Sequence, residues 1–76
     1  MLILYTTLGC HLCDQAYDLI TQCLEGVSLN KVEIADDDAL MQKYAIRIPV
    51  VKNKNTNHEL GWPFDQKTLL EWYASL

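Results

Sequence analysis

"LILYTTLGCHLCDQ", residues 2–15, is an apolar run, a short turn and two cysteines three apart where a helix begins. "LILYT" (2–6) is apolar enough for a buried strand. Thr7, Leu8 and Gly9 make the turn, with Gly9 easing the bend. Beyond it Leu12, Ala16, Leu19, Ile20, Cys23 and Leu24 recur at helical spacing, while Asp14, Gln15, Asp18 and Gln22 fall off that stripe. Gly26 is the expected stop.

The remaining elements follow from this unit. "SLNKVEIA" (28–35) alternates from Asn30 and puts Val32 and Ile34 on one face of a second strand. Asp36, Asp37 and Asp38 are expected as N-cap and first-turn acids of a short helix with Leu40, Met41 and Tyr44 on its apolar side. "RIPVVKN" (47–53) is expected as a strand opening on Pro49, because proline cannot donate to a ladder. "NKNTN" (53–57) has turn composition, "HEL" (58–60) returns as the hairpin partner, and "GWP" (61–63) breaks the chain. Asp65 is an N-cap, with Phe64 and Leu69 as a hydrophobic staple. The last helix takes its apolar side from Leu69, Leu70, Trp72, Tyr73 and Leu76. The order is β-α-β-α-β-β-α, an α/β fold in one domain spanning 1–76, with a right-handed parallel crossover first and an antiparallel hairpin later.

Composition excludes several functions. Seventy-six residues with a net charge of −4 and scattered lysines offer no basic patch, so nucleic acid is not an expected partner. No apolar run approaches the roughly 20 residues needed to span a bilayer. "MLILYTT" lacks a charged n-region and a cleavage site, so it does not read as a signal peptide. The odd count of three cysteines fits poorly with a secreted disulfide framework. The expected location is the cytoplasm, where a CxxC more often means redox chemistry or metal than cross-linking.

Three readings of Cys10 and Cys13 compete. Residues three apart on a helix have Cβ atoms about 5–6 Å apart, and a disulfide wants about 3.5–4.5 Å, so a small adjustment closes the ring. The loop is so short that it stabilises by only roughly 2 kcal/mol, making the bond a poor staple and a good electron carrier. The first-turn N–H groups lie nearest Cys10 and are expected to lower its pKa, helped by protonated His11 and opposed by Asp14. Cys13, deeper in the helix, becomes the resolving thiol in an exchange through a mixed disulfide. Cys23 lies about 15 Å further along the helix, beyond disulfide reach, and is expected as a buried core thiol. A zinc site lacks a second close pair of ligands, since Cys23 is out of reach, His11 points elsewhere and His58 is expected in solvent. No metal is therefore expected, although an iron–sulfur cluster shared between two chains stays open.

A CxxC between a strand and a helix, followed by Ile-Pro before a later strand, resembles the thioredoxin superfamily. The short length and the motifs "CHLC" (10–13) and "RIPV" (47–50) resemble its small glutaredoxin-like members. The resemblance implies a thioredoxin-like, glutaredoxin-type fold, a four-stranded mixed sheet flanked by three helices. It implies that Cys10 is the nucleophile, Cys13 the resolving cysteine and Pro49 a cis-proline facing the dithiol, with the Ile48 backbone placed to pair with extended substrate. It further implies substrate contacts for His11 and Leu12, between the cysteines, and for Arg47 and Trp62. For Trp62, packing in the core is the alternative.

Glutaredoxins commonly have a lysine before the CxxC, where this chain has Thr7 and Leu8, and a Gly-Gly pair where it has Gly61-Trp62. Glutathione use, as reductant or substrate, thus stays open, with Arg47 or Lys43 as candidate partners for a carboxylate. The expected activity is thiol–disulfide exchange by a monomer on protein or small disulfides, with a thiol reductant and no required cofactor. The alternative is a non-catalytic binding or redox-sensing module.

Overall fold

The computed structural model describes residues 1–76. The elements are β1 (Leu2–Thr6), α1 (His11–Cys23), β2 (Leu29–Glu33), a 3-10 turn (Ile34–Asp36), α2 (Asp38–Tyr44), β3 (Val50–Asn53), β4 (Glu59–Gly61) and α3 (Gln66–Ala74). The sheet order is β2-β1-β3-β4. β1 pairs with β2 in parallel, while β1–β3 and β3–β4 are antiparallel. This is the expected α/β architecture, a four-stranded mixed sheet with three helices.

Strand periodicity divides the core between the two faces of the sheet. Leu2 and Leu4 of β1 and Val51 of β3 join Ala16, Ile20 and Leu24 of α1 with Phe64 and Leu69 in one cluster. Tyr5 and Val50, one residue out of step, pack with Ile34 and Tyr44 in the other. Thus α1 and α3 cover one face and α2 the other. No helix is long and apolar enough to cross a membrane.

Several local expectations shift. β2 ends at Glu33, where the 3-10 turn takes Ile34 into the core. The acids before α2 stand as expected: Asp37 caps the helix through its carboxylate, which accepts from Ala39 and Leu40 N–H at 2.9 and 3.2 Å, and Asp38 lies in the first turn. β3 starts at Val50 and not at Arg47, because Arg47 and Ile48 both donate their N–H groups back to the Tyr44 carbonyl, closing α2. β4 runs to Gly61 and leaves His58 exposed in the connection. Asp65 caps α3, accepting from Thr68 N–H at 2.8 Å, and Phe64 and Leu69 are both buried. Leu70 and Tyr73 of α3, expected on its apolar side, are exposed, since one narrow stripe of a nine-residue helix reaches the sheet. Cys23 is half-buried at the edge of the larger cluster and unpaired.

Candidate functional site

Strand directions bring three connections to one end of the sheet. The turn at 7–10 leaves the C-terminal end of β1. The loop at 45–49 enters β3 beside it, because Tyr5 is in register with Val50. The segment 62–65 leaves β4 at the same end, since Gly61 is in register with Val50. Parallel pairing of Thr6 with Glu33 adds the end of β2.

The cysteines stand where β1 hands over to α1. Gly9 has φ of +79°, in the left-handed region that strains L side chains, and turns the chain before Cys10. Cys10 N–H donates to the Thr7 carbonyl at 3.3 Å. Cys10 is the N-cap of α1, and its Sγ accepts from Cys13 N–H at 3.1 Å. The nucleophile expected in the first turn therefore sits one position earlier, where an orphan N–H points at its sulfur. The two cysteines are joined in a disulfide, with Cα atoms 5.2 Å apart. Cys13 is 2% exposed, whereas Cys10 is half-buried at the surface. His11 and Asp14 are exposed beside them. Leu12, expected in the buried stripe, stands in the first turn of α1 and is 48% exposed.

Glu33 braces the turn from the neighbouring strand. Its Oε1 accepts from Leu8 N–H at 2.8 Å and its Oε2 from Ala35 N–H at 3.2 Å. The Ala35 bond, then those from the Thr7 hydroxyl and Leu8, hold its carboxyl below the usual range. Sequence reasoning missed this contact, since nothing local links Leu8 to a glutamate twenty-five residues away.

The 45–49 loop is held differently. Ile48–Pro49 is a cis peptide bond, as is Trp62–Pro63. Pro49 is buried, and its carbonyl accepts from Trp62 N–H at 3.0 Å. The Trp62 ring meets Phe64 edge-on at 5.0 Å between centroids and packs on the larger core cluster. Its backbone thus joins the loop while its ring serves the core. Ile48 spends its N–H on the Tyr44 carbonyl at 3.1 Å, so only its carbonyl is free for an extended substrate.

Arg47 points to an internal partner. Its Nη2 lies 3.0 Å from Glu59 Oε1, and the other oxygen of Glu59 accepts from the buried Tyr44 hydroxyl. Tyr44 stacks on Tyr5 at 4.2 Å, and Lys43 and Arg47 both lie 5.3 Å from its ring centroid. Burial works to raise the Glu59 carboxyl, but the Tyr44 and Arg47 hydrogen bonds and the Arg47 and Lys43 charges outweigh it and hold it low. Burial first, and then the Glu59 bond, push the Tyr44 hydroxyl well above its ordinary value. No group of three or more His, Cys, Asp or Glu side chains converges where a metal ion could sit.

Residues 1–73 match the family model described as Glutaredoxin-like domain (DUF836). The X-ray structure of structural-genomics target protein XcR50 from X. campestris is 38% identical over 100% of this chain and 99% of its own, with a TM-score of 0.91. Its solution structure gives 40% identity over 99% and 94%, with a TM-score of 0.85. The solution structure of protein Ne2328 from Nitrosomonas europaea is 27% identical over 93% of this chain and 87% of its own, with a TM-score of 0.73. Among curated proteins none matches this chain significantly.

Proposed function

This chain belongs to the glutaredoxin-like domain family, and from that premise we propose that it is a thiol–disulfide oxidoreductase. The observation that carries the reading is the asymmetry of the pair. Cys10 lies at the surface as a helix N-cap with an N–H on its sulfur, and Cys13 lies buried behind it within disulfide range. An N–H donor and the positive end of a helix stabilise a thiolate, which is the attacking species. A buried partner cannot meet substrate first, but it can resolve a mixed disulfide on its neighbour.

In the forward direction the Cys10 thiolate attacks a substrate disulfide and forms a mixed disulfide. Cys13 then displaces the substrate thiol and closes the Cys10–Cys13 bond. A thiol reductant, glutathione among the candidates, returns the pair to the dithiol. The enzyme works as a monomer in a reducing compartment such as the cytoplasm, with no resident cofactor.

Two measurements test this. Equilibration across glutathione redox buffers, acid quench and intact mass should find the Cys10–Cys13 disulfide forming at potentials between about −180 and −270 mV. Catalysed reduction of hydroxyethyl disulfide should vanish in Cys10→Ser. Equal rates in the wild type and in Cys10→Ser would end the proposal.

A further inference from the structure

The surroundings of the dithiol suit a particular disulfide. The two most exposed large apolar side chains in the protein are Ile46, at 99%, and Leu8, at 90%. One lies on the 45–49 loop and the other on the 7–10 turn, so they stand on adjacent connections at the dithiol end. Leu12, between the cysteines, is 48% exposed. Single exposed aliphatics are ordinary. The two extreme cases falling on neighbouring connections at the sheet end that carries Cys10 are not explained by the fold, which gains nothing from either.

The charges point the same way. Glutathione disulfide carries four carboxylates and is recognised through cations. Across 7–10, 45–49 and 62–65 the only cationic side chain is Arg47, and Glu59 already occupies it at 3.0 Å. Asp65 adds a negative charge at the same end, and the whole chain is at −4. Lys31 of β2 also lines the hollow beside Leu8 and Gly9, but Asp14 and Glu33 share it, so its charge is offset there. Aliphatic surface and the unpaired Ile48 carbonyl, an acceptor for a polypeptide N–H, are then the features left for recognition.

We infer that the dithiol acts on a polypeptide disulfide flanked by aliphatic residues, which Leu8 and Ile46 contact at the sheet end that carries Cys10, in preference to glutathione disulfide. The inference rests on the exchange activity proposed above. The Cys10 thiolate attacks one sulfur of the peptide disulfide. That S–S bond breaks, and its electron pair leaves on the other peptide sulfur, which takes a proton from water. The Cys13 thiolate then attacks Cys10 Sγ and expels the second peptide thiolate, which is protonated in turn. The peptide gains two electrons and two protons, and the Cys10–Cys13 pair loses them.

The test is a single turnover, in which pre-reduced protein is mixed with excess disulfide, quenched in acid and read by intact mass. The probes are hydroxyethyl disulfide, glutathione disulfide, and two cyclic peptides identical except for leucine and valine or serine beside the cysteines. The apolar peptide should oxidise the wild type about tenfold faster than the serine peptide or glutathione disulfide. In Leu8→Ser/Ile46→Ser the ratio between the two peptides should fall towards one, and Leu8→Ser alone should lower it part of the way. Leu70→Ser, on an exposed face of α3, should leave the ratio unchanged. Equal peptide rates in the wild type, a preference that survives the double variant, or glutathione disulfide as the fastest oxidant would overturn the inference. So would a dimer in sedimentation that Leu8→Ser/Ile46→Ser converts to monomer, since a second copy of the chain would then cover these residues. Failure of every probe, hydroxyethyl disulfide included, would instead overturn the exchange activity itself.

Discussion

The turn at 7–10 and the loop at 45–49 border the same end of the sheet and are held by opposite means. The first carries the Cys10 sulfur on short-range bonds, from Cys10 N–H to Thr7 and from Cys13 N–H to Cys10 Sγ, plus one exposed brace from Glu33. The second hangs on a buried tyrosine stacked on β1 and tied through Glu59 to β4 and Arg47. The exchange proposed here would need a sulfur free to move between two partners and a wall that does not move. Few long-range hydrogen bonds leave the first region easy to rearrange, and a polar network anchored on the buried Tyr44 ring stiffens the second.

If stability resides in the second region, its loss should be largest at Tyr44. Tyr44→Ala removes a ring that is 1% exposed and should cost about 3–5 kcal/mol, as for other buried aromatics. A domain of this size holds only about 4–11 kcal/mol, so denaturant titration should find it close to unfolded in buffer. A loss below about 1 kcal/mol would break the comparison. Glu59→Ala comes next. It leaves the Tyr44 hydroxyl buried without an acceptor, at about 1–3 kcal/mol. Arg47→Ala removes only a partly exposed ion pair and should cost less than about 1 kcal/mol. A reversal of that order would mean that the ion pair, and not the tyrosine, anchors the loop.

Titration sharpens the same point. Tyr44 is raised above its ordinary value of 10.0 in the folded state. Above that pH the unfolded chain releases the phenol proton and the folded chain keeps it. Stability is therefore full below about 10 and falls as the pH rises past it. Tyr44→Phe should lose about 1 kcal/mol at neutral pH and flatten that alkaline limb, read as Tm against pH. Glu59 is lowered below its ordinary 4.5, so its contribution is present above that pH and is lost as the pH falls through the folded value.

How much of this the sequence disclosed depended on range. The apolar run "LILYT" and the helical spacing after Cys10 are local, and they place both cysteines where a helix begins, to within one position for Cys10. Caps such as Asp37 and Asp65 act within three residues and were equally legible. The Tyr44–Glu59 pair spans fifteen residues and three elements. Nothing in "HEL" distinguishes Glu59 from any strand glutamate until β4 pairs with β3. Arg47 was expected as a ligand for substrate carboxylates for the same reason, because its partner was invisible. Leu12 was assigned to the stripe because periodicity does not show which turns of a helix are covered. Leu8 is legible only as a turn residue and Ile46 not at all, since exposure of an aliphatic residue follows from tertiary geometry alone.

The smallest expected effect bears on the first region. If Cys10 is held only locally, its side chain contributes to stability as an N-cap acceptor and as one half of a short ring. Reduction of the disulfide should cost roughly 2 kcal/mol by loop entropy. In the reduced protein Cys10→Ser keeps an acceptor for the Cys13 N–H and should stay within about 0.5 kcal/mol of wild type, whereas Cys10→Ala should fall a further ~1 kcal/mol. Both variants should abolish the proposed exchange, so chemistry and stability would separate at this residue. If Cys10→Ser cost as much as Glu59→Ala, the sulfur would have to be held by contacts beyond its own turn, and the contrast between the two loops would fail.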